Sequence, residues 1–194
     1  MSAGKARELP REVRIIGGLW KRSKLPVADT PGLRPTPDRV RETLFNWLGA
    51  DLSGWRCLDA FAGSGALGLE AASRGASEVV LLERDRGLAR RLQETAARLQ
   101  AVTVKIECAD AIAWMARSAP SRFEALFIDP PFDSALAGPA LAAAARLVVP
   151  GGVVYLELPR AVATAEVVSM GYVVSRQSRA GAVHFHLLQR LSTP

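Results

Sequence analysis

The feature of this 194-residue chain that most constrains its fold is a regular alternation, from residue 55 onward, of short apolar runs with helix-like segments. The apolar runs predict strands at residues 56–60, 78–82, 103–107, 125–129 and 152–157. The segments that follow them predict helices at residues 65–74, 86–100, 111–117, 135–147 and 161–168. Such alternation is typical of a doubly wound α/β fold, in which helices cover both faces of a mostly parallel sheet.

The last part of the chain departs from this pattern. Two further strand patterns, at residues 172–176 and 183–189, flank a Ser-Arg-Ala-Gly turn. A connection this short joins antiparallel strands, whereas parallel strands need a long crossover. We therefore expect a Rossmann-like, mostly parallel seven-stranded sheet with an antiparallel final hairpin.

A helix is also predicted before the first of these strands, beginning near residue 36. Thr36 is suited to cap it, Pro37 to occupy its first position, and Asp38 to lie at the positive end of its dipole. The apolar positions of this segment recur with helical spacing. That spacing predicts a water-facing side with Arg39, Arg41 and Glu42.

The positive charge of the chain is concentrated near its beginning. The net charge is +6, and residues 1–48 hold ten Lys and Arg against five Asp and Glu, a balance of +5. We therefore predict a basic N-terminal extension over residues 1–33 that contacts a polyanion, ahead of a main domain over residues 34–194. A solvated tail is the alternative. The candidate contacts are Arg14, Lys21, Arg22, Lys24, Arg34 and Arg39.

Composition excludes several classes of protein. Hydrophobic residues make up 49% of the chain and charged residues 23%, as in globular proteins. No apolar run reaches the length of a membrane span, and the first residues lack the apolar segment of a secretory signal. The two cysteines, Cys57 and Cys108, lie in strand-like segments and are expected to be buried, reduced thiols. We expect a cytoplasmic protein.

The first predicted strand runs into a glycine-rich turn, DAFAGSGALG, at residues 59–68. Gly63, Gly65 and Gly68 satisfy the spacing G-x-G-x-x-G, which a dinucleotide fold would also show. Glu83 follows Gly63 by 20 residues, at the end of the second strand, where a carboxylate can accept both hydroxyls of a ribose. These features alone fit NAD as well as other adenosine cofactors.

Asp59 distinguishes between the cofactors. A carboxylate just before the turn would repel a pyrophosphate, but it would attract the ammonium and sulfonium of S-adenosylmethionine. This opposes a nicotinamide-dependent oxidoreductase. Asp110, at the end of the third strand, offers a polar group for the adenine edge. The predicted cofactor-binding residues are Asp59, Phe61, Gly63, Gly65, Glu83, Asp110 and Ala111.

The fourth strand ends in Asp129, Pro130, Pro131 and Phe132. An exocyclic amine of a nucleobase is a poor nucleophile because its lone pair is delocalised into the ring. Hydrogen bonds to the Asp129 carboxylate and the Pro130 carbonyl would pyramidalise the nitrogen, and the two prolines would hold both acceptors in place. Phe132 would stack on an extruded base. The motif predicts amino methylation without choosing between adenine N6, cytosine N4 and guanine N2.

Other candidate chemistries are weaker. His184 and His186 share one face of the last strand but have no third ligand nearby in sequence, so we expect no metal and a partly exposed face. Neither cysteine follows the fourth strand in a Pro-Cys context, which disfavours covalent pyrimidine methylation. A non-catalytic RNA-binding protein on a methyltransferase scaffold is opposed by the intact DPPF segment.

Four segments of the chain resemble the bacterial 16S ribosomal RNA (guanine(966)-N(2))-methyltransferases, called RsmD. These are RIIGG at residues 14–18, LRPTPDRVRETLFN at 33–46, DAFAGSGALG at 59–68 and DPPF at 129–132. The resemblance implies a class I S-adenosylmethionine-dependent methyltransferase fold with a small N-terminal extension. It also implies methylation of guanine N2 in 16S rRNA within a small-subunit particle. Asp129 to Phe132 would form the catalytic loop. We expect the protein to be a monomer.

Overall fold

The computed structural model describes residues 12–27, 36–131 and 134–191. Its strands are β1 Glu12–Arg14, β2 Lys24–Pro26, β3 Arg56–Asp59, β4 Glu78–Glu83, β5 Val104–Cys108, β6 Phe123–Ile128, β7 Val148–Leu158, β8 Tyr172–Ala180 and β9 Val183–Arg190. Its helices are α1 Asp38–Leu48, α2 Ala66–Ser73, α3 Arg86–Arg98, α4 Ala111–Arg117, α5 Ala137–Leu147 and α6 Thr164–Ser169.

Seven of the strands form one sheet in the order β5-β4-β3-β6-β7-β9-β8. Strands β3 to β7 are parallel, and β9 runs antiparallel to both β7 and β8. The predicted α/β fold with its antiparallel final hairpin is therefore confirmed. The chain leaves β3 toward β4 on one side and returns to β6 on the other. This reversal opens a crevice at the carboxyl ends of the central strands, where ligands of such sheets bind.

Most predicted element boundaries lie within a few residues of the observed ones, and the exceptions have local causes. Asp129 follows β6 instead of ending it, and β7 starts at Val148, four residues before its predicted start. The final turn is also shorter than expected, because β8 continues through Ala180 before the chain reverses at Gly181.

The sheet separates two apolar cores. Cys57 packs into one core and Leu58 into the other, because successive side chains of a strand point to opposite faces. Each fully buried leucine or phenylalanine in these cores contributes about 1.5–3 kcal/mol. Burial raises the pKa of the Cys57 thiol to about 12, which makes it unreactive. The expectation that both thiols are buried was wrong for Cys108, which is exposed at the end of the edge strand β5.

The hairpin formed by β1 and β2 is attached to the main domain through a buried carboxylate on α2. Glu70 accepts hydrogen bonds from the backbone N–H groups of Ile16 at 2.7 Å and Gly17 at 2.8 Å. Arg74 Nε donates to the same carboxylate at 2.8 Å, and Arg41 Nη1 lies 3.5 Å from it. We call these five residues the Glu70 cluster.

The prediction that Arg41 lies on the water-facing side of α1 was wrong. Its side chain is fully buried, and its guanidinium also donates to the carbonyl of Arg14 at 2.8 Å and to Asp38 at 2.7 Å. Arg39 and Glu42 are exposed, as expected. The spacing of apolar residues could not reveal this burial, since the partner of Arg41 lies on another helix.

The loop of the hairpin lies directly on the end of α2. Gly18 has φ +75°, and a Cβ at this position would lie 1.8 Å from the carbonyl oxygen of Ser73. Ser73 Oγ donates to the Gly17 carbonyl at 2.6 Å and accepts from the N–H of Trp20 at 2.9 Å. Glycine is therefore required for this close approach.

Among the residues that the structure describes, no helix is long and apolar enough to cross a membrane.

Candidate active site

Three carboxylates lie at neighbouring strand ends of the crevice. Asp59 ends β3, Glu83 ends β4, and Asp129 directly follows β6. Asp59 pairs in register with Leu81 of β4 and Phe127 of β6, so the three strands end at nearly the same level. The sheet thus brings together acidic side chains that are up to 70 residues apart in the chain.

The turn between β3 and α2 requires glycine at two of its positions. Gly63 has φ +52° and Gly65 has φ +77°, both in the left-handed region that glycine favours. A Cβ at Gly65 would lie 2.7 Å from Leu92 Cδ2 and 2.9 Å from Leu69 Cδ1. The turn is therefore built for close approach of the backbone, both to α3 and to a ligand above it.

Asp59 lies beneath this turn and is almost completely buried. Its Oδ2 accepts the N–H of Gly68 at 3.0 Å, and its Oδ1 is a buried oxygen without a hydrogen-bond partner. Burial raises the pKa of Asp59 to about 7, although the Gly68 N–H opposes the shift. A positively charged ligand would stabilise the ionised form of this carboxylate.

Glu83 lies beside the turn and is half-buried. Its Oε2 accepts the N–H of Gly63 at 3.0 Å, and its Oε1 accepts that of Asp85 at 2.8 Å. These two bonds fix the carboxylate at the position that the sequence predicted for a ribose contact. Each oxygen retains a further lone pair, so the ribose contact stays a prediction that the geometry permits.

Asp110 and Ala111 lie at the adjacent strand end. The N–H of Ala109 donates to the Glu83 carbonyl at 3.1 Å, which places Asp110 next to the β4 end. Asp110 is the N-cap of α4, and its Oδ1 accepts the N–H of Ala113 at 2.9 Å. The contact of Asp110 with an adenine edge stays a prediction. Phe61 is half-buried and Ala111 is buried, so both would offer apolar contact.

A second acidic group surrounds Asp129. Thr36 Oγ1 lies 3.0 Å from Asp129 Oδ2 and 3.0 Å from Glu157 Oε1. Tyr155 Oη donates to Glu157 Oε1 at 2.6 Å. Burial raises the pKa of both carboxyls, and the charge of Glu157 raises that of Asp129 further. We call these four residues the Asp129 cluster.

Sequence reasoning missed two members of this cluster and assigned Thr36 incorrectly. Thr36 does not cap α1, whose N-cap is Pro37, because its hydroxyl is directed to the two carboxylates instead. Glu157 and Tyr155 lie near the carboxyl end of β7, beside β6. The rule that ligands bind at strand ends, applied to the fifth predicted strand, would have indicated Glu157.

The rest of the predicted catalytic loop is described in part. Pro130 is buried, Pro131 is exposed, and Phe132 lies outside the described residues. The Tyr155 ring packs against both Phe127 and Phe185, with ring centroids 6.5 Å and 6.4 Å away. This aromatic floor supports the strand ends that carry Asp129 and Glu157.

Two of the predicted basic contacts, Arg14 and Lys24, line a cavity. Arg14, Lys21, Arg22, Lys24 and Arg39 are all exposed, whereas Arg34 lies outside the described ranges. The cavity measures about 430 Å³, and its lining includes Arg14, Lys24 and Thr36. Lys24 is 2.8 Å from Glu12, so part of its charge is neutralised locally. Through Thr36, this cavity adjoins the Asp129 cluster.

The histidines occupy a more buried surface than expected. His186 is buried: its Nε2 accepts the N–H of Val162 at 3.2 Å, and its Nδ1 therefore donates to the Leu156 carbonyl at 3.3 Å. The expectation of a partly exposed face was wrong for this residue, though His184 is half-buried. Within residues 12–27, 36–131 and 134–191, no three His, Cys, Asp or Glu side chains are grouped to hold a metal ion.

The sheet order, the glycine turn and the acidic strand ends together define the class I methyltransferase fold. The family model described as Conserved hypothetical protein 95 matches residues 13–189, and the chain belongs to this family. This match and the relatives named next confirm the resemblance to RsmD.

Named relatives agree with this assignment. The chain is 49% identical to ribosomal RNA small subunit methyltransferase D of Escherichia coli K12 over 125 residues, or 64% of this chain and 63% of that protein. It is 45% identical to the Haemophilus influenzae protein of the same name over 133 residues, or 67% and 69%. The first alignment thus spans just under two thirds of that relative's length.

A solved structure matches over nearly the whole length. The E. coli protein yhhF, described as a candidate methyltransferase, superposes with a TM-score of 0.80 at 36% identity. The match covers 94% of this chain and 99% of that one. The hairpin and the main domain therefore both fall within the shared fold.

Proposed function

We propose that this protein transfers a methyl group from S-adenosylmethionine to the N2 amine of a guanine in 16S rRNA. The observation that carries the proposal is the position of Asp129: a half-buried carboxylate that follows the strand next to Asp59 and the glycine turn. The names of the relatives support an rRNA substrate. Guanine at position 966 rests on the RsmD resemblance.

The residues present fit the cofactor. The unpartnered Oδ1 of Asp59 would receive the ammonium of the methionine part, and the turn at Gly63 and Gly65 would lie along it. Glu83 would bind the ribose, while Asp110, with Phe61 and Ala111 in apolar contact, would bind the adenine. When bound, S-adenosylmethionine supplies an electrophilic methyl group. This chain has only to bind, orient and activate the amine.

Asp129 and Pro130 activate the amine by accepting its two hydrogens. This arrangement withdraws the lone pair from the ring and directs it toward the methyl group. Proline at residues 130 and 131 fixes two backbone φ angles, so the carbonyl acceptor needs little reorganisation. Phe132 completes the loop by stacking on the base. After transfer, the Asp129 carboxylate in its ionised form would take the proton that the nitrogen must lose.

The hairpin is the proposed RNA-binding face, and phosphate contacts there would position the substrate without choosing the base. Changing Lys21, Arg22 and Lys24 together to Ala should weaken RNA binding and flatten its salt dependence. Removing one phosphate contact should lower the log–log slope by roughly 0.7–0.9. Affinity for S-adenosylhomocysteine should not change. Normal RNA binding at every salt concentration would place the RNA face elsewhere.

One assay tests the proposal as a whole. Small-subunit particles from cells that lack this activity are incubated with the protein and labelled S-adenosylmethionine, and the methylated nucleotide is mapped. Label on guanine N2 in 16S rRNA supports the proposal, and label on adenine N6 or cytosine N4 redirects it to another amine. Transfer to naked 16S rRNA alone would remove the particle from the proposed substrate. No transfer to either would favour a non-catalytic RNA-binding protein.

We further propose that the protein acts as a cytoplasmic monomer.

A further inference from the structure

A continuous chain of hydrogen bonds runs from the interior of the sheet to Asp129. Tyr155 Oη donates to Glu157 at 2.6 Å, Glu157 contacts Thr36 at 3.0 Å, and Thr36 contacts Asp129 Oδ2 at 3.0 Å. Glu157 is 2% exposed and Thr36 is 5% exposed. The chain connects the segment ahead of α1 with β7 and with Asp129 after β6, and these parts of the fold meet at the Thr36 hydroxyl.

The hydroxyl of Thr36 carries one proton but lies at hydrogen-bond distance from two carboxyls. It can donate to only one of them, so the second contact is a hydrogen bond only if that carboxyl is itself protonated. Glu157 already receives the Tyr155 hydroxyl, which stabilises its charge. Two negative charges this close in a buried site are also costly. The arrangement that satisfies all three contacts has Glu157 ionised and a proton on Asp129 Oδ2.

We propose that Thr36 and Glu157 are positioning residues for Asp129, which they hold by Oδ2 so that Oδ1 is the oxygen presented to the target amine. The inference rests on the catalytic role proposed for Asp129. Asp129 is half-buried while Oδ2 is directed to the buried hydroxyl, so the accessible part of the carboxyl is on the Oδ1 side. Thr36 also lines the 430 Å³ cavity beside the basic hairpin. A base that entered through this cavity would meet the residue that holds Asp129.

The first experiment replaces the hydroxyl of Thr36. Thr36→Val keeps the shape of the side chain but removes the bridge, and it should lower single-turnover methyl transfer into small-subunit particles roughly 10- to 100-fold. Thr36→Ser keeps the hydroxyl and should restore transfer to within a few-fold of wild type. Equal rates for Val and Ser would overturn the inference.

The second experiment removes the charge of Glu157. Because that charge raises the pKa of Asp129, Glu157→Gln should move the acidic limb of the rate profile to lower pH. The same shift should appear in the free protein, without substrate or cofactor. As the pH is raised, the infrared band of the protonated carboxyl should disappear at a lower pH in Glu157→Gln than in the wild type. The band is assigned to Asp129 by its absence in Asp129→Asn. Profiles and titrations that coincide with wild type would overturn the inference.

Tyrosine variants supply a matched control. Tyr155 and Tyr172 are both buried and both donate a hydrogen bond, but Tyr172 donates to the Leu141 carbonyl, outside the cluster. Tyr155→Phe should shift the pH profile and Tyr172→Phe should not. If Asp129→Asn transfers methyl at the wild-type rate, the proposed function of Asp129 fails. If only Asp129→Asn is inactive and the Thr36 and Glu157 variants behave as wild type, the positioning inference fails alone.

Discussion

Two buried carboxylates, Glu70 on α2 and Asp59 on the adjoining β3, differ in how completely they are partnered. Glu70 has two arginines and two backbone N–H groups around it. Among the described residues Asp59 receives only backbone N–H groups, and its Oδ1 has no hydrogen-bond partner within 3.5 Å. A buried charge whose partners are all supplied by the protein holds elements together, whereas one that lacks a cation is disposed to receive a ligand. The number of protein partners, more than burial itself, therefore distinguishes Glu70, which holds elements together, from Asp59, which is disposed to bind a ligand.

The largest effect on stability is expected from removing the fully partnered carboxylate. Glu70→Ala leaves Arg41 and Arg74 without their shared buried carboxylate and should lower the free energy of unfolding by about 3–5 kcal/mol. Glu94→Ala is the matched control, since Glu94 pairs with Arg90 on an exposed helix surface and should change stability by less than about 1 kcal/mol. Denaturant titration measures both. Equal small losses would show that Glu70 is no more structural than a surface acid.

A change at Asp129 should have the opposite effect to a change at Glu70, with a large loss of activity and no loss of stability. Asp129→Asn should lower methyl transfer roughly 100- to 1000-fold, as loss of a preorganised acceptor does, while the free energy of unfolding stays level or rises. Affinity for S-adenosylhomocysteine, measured by calorimetry, should be nearly unchanged because the acceptor contacts the amine. Substantial residual turnover would remove Asp129 from the catalytic role.

Glu83 combines features of Glu70 and Asp59. Its carboxylate accepts two N–H groups of the protein and is also available to a ligand. Glu83→Ala should weaken S-adenosylhomocysteine binding by about 1.5–3 kcal/mol without unfolding the protein. The Glu94→Ala protein again serves as the control. Unchanged affinity in calorimetry would refute the ribose contact.

The smallest effect concerns the pH dependence of Asp59. Its folded-state pKa of about 7 exceeds the ordinary value of 3.8, so between these limits the folded protein holds a proton that the unfolded chain has lost. Stability from this group is therefore full below pH 3.8 and is lost as the pH rises to about 7. Between about pH 6 and 7 the loss should be on the order of 1 kcal/mol.

Asp59→Asn should remove that slope in denaturant titrations at several pH values. Binding of the ammonium of S-adenosylhomocysteine requires the ionised form, so the wild type should release a proton on binding at about pH 6. Calorimetry in buffers of different ionisation enthalpy measures this release. A mutant slope identical to that of the wild type would assign the titration to another group.

The parts of the fold and site that could be predicted depend on local patterns. The β-α alternation and the glycine turn each occupy a short window, and the sheet then places Asp59, Glu83 and Asp129 together by the strand-end rule. Thr36 contacts residues 93 and 121 positions away, which no local pattern encodes. Arg41 was misplaced for the same reason. Its buried partner Glu70 is 29 residues away, on another helix.

The attachment of the hairpin through Glu70 limits how the protein can be shortened. A version cut before α1 would lose the N–H groups of Ile16 and Gly17 and the carbonyl of Arg14, and would open Glu70 and Arg41 to water. Such a fragment would keep every strand of the large sheet and still lack the surface on which α2 is seated. A shortened version of this protein must therefore begin no later than β1 if the Glu70 cluster is to stay intact.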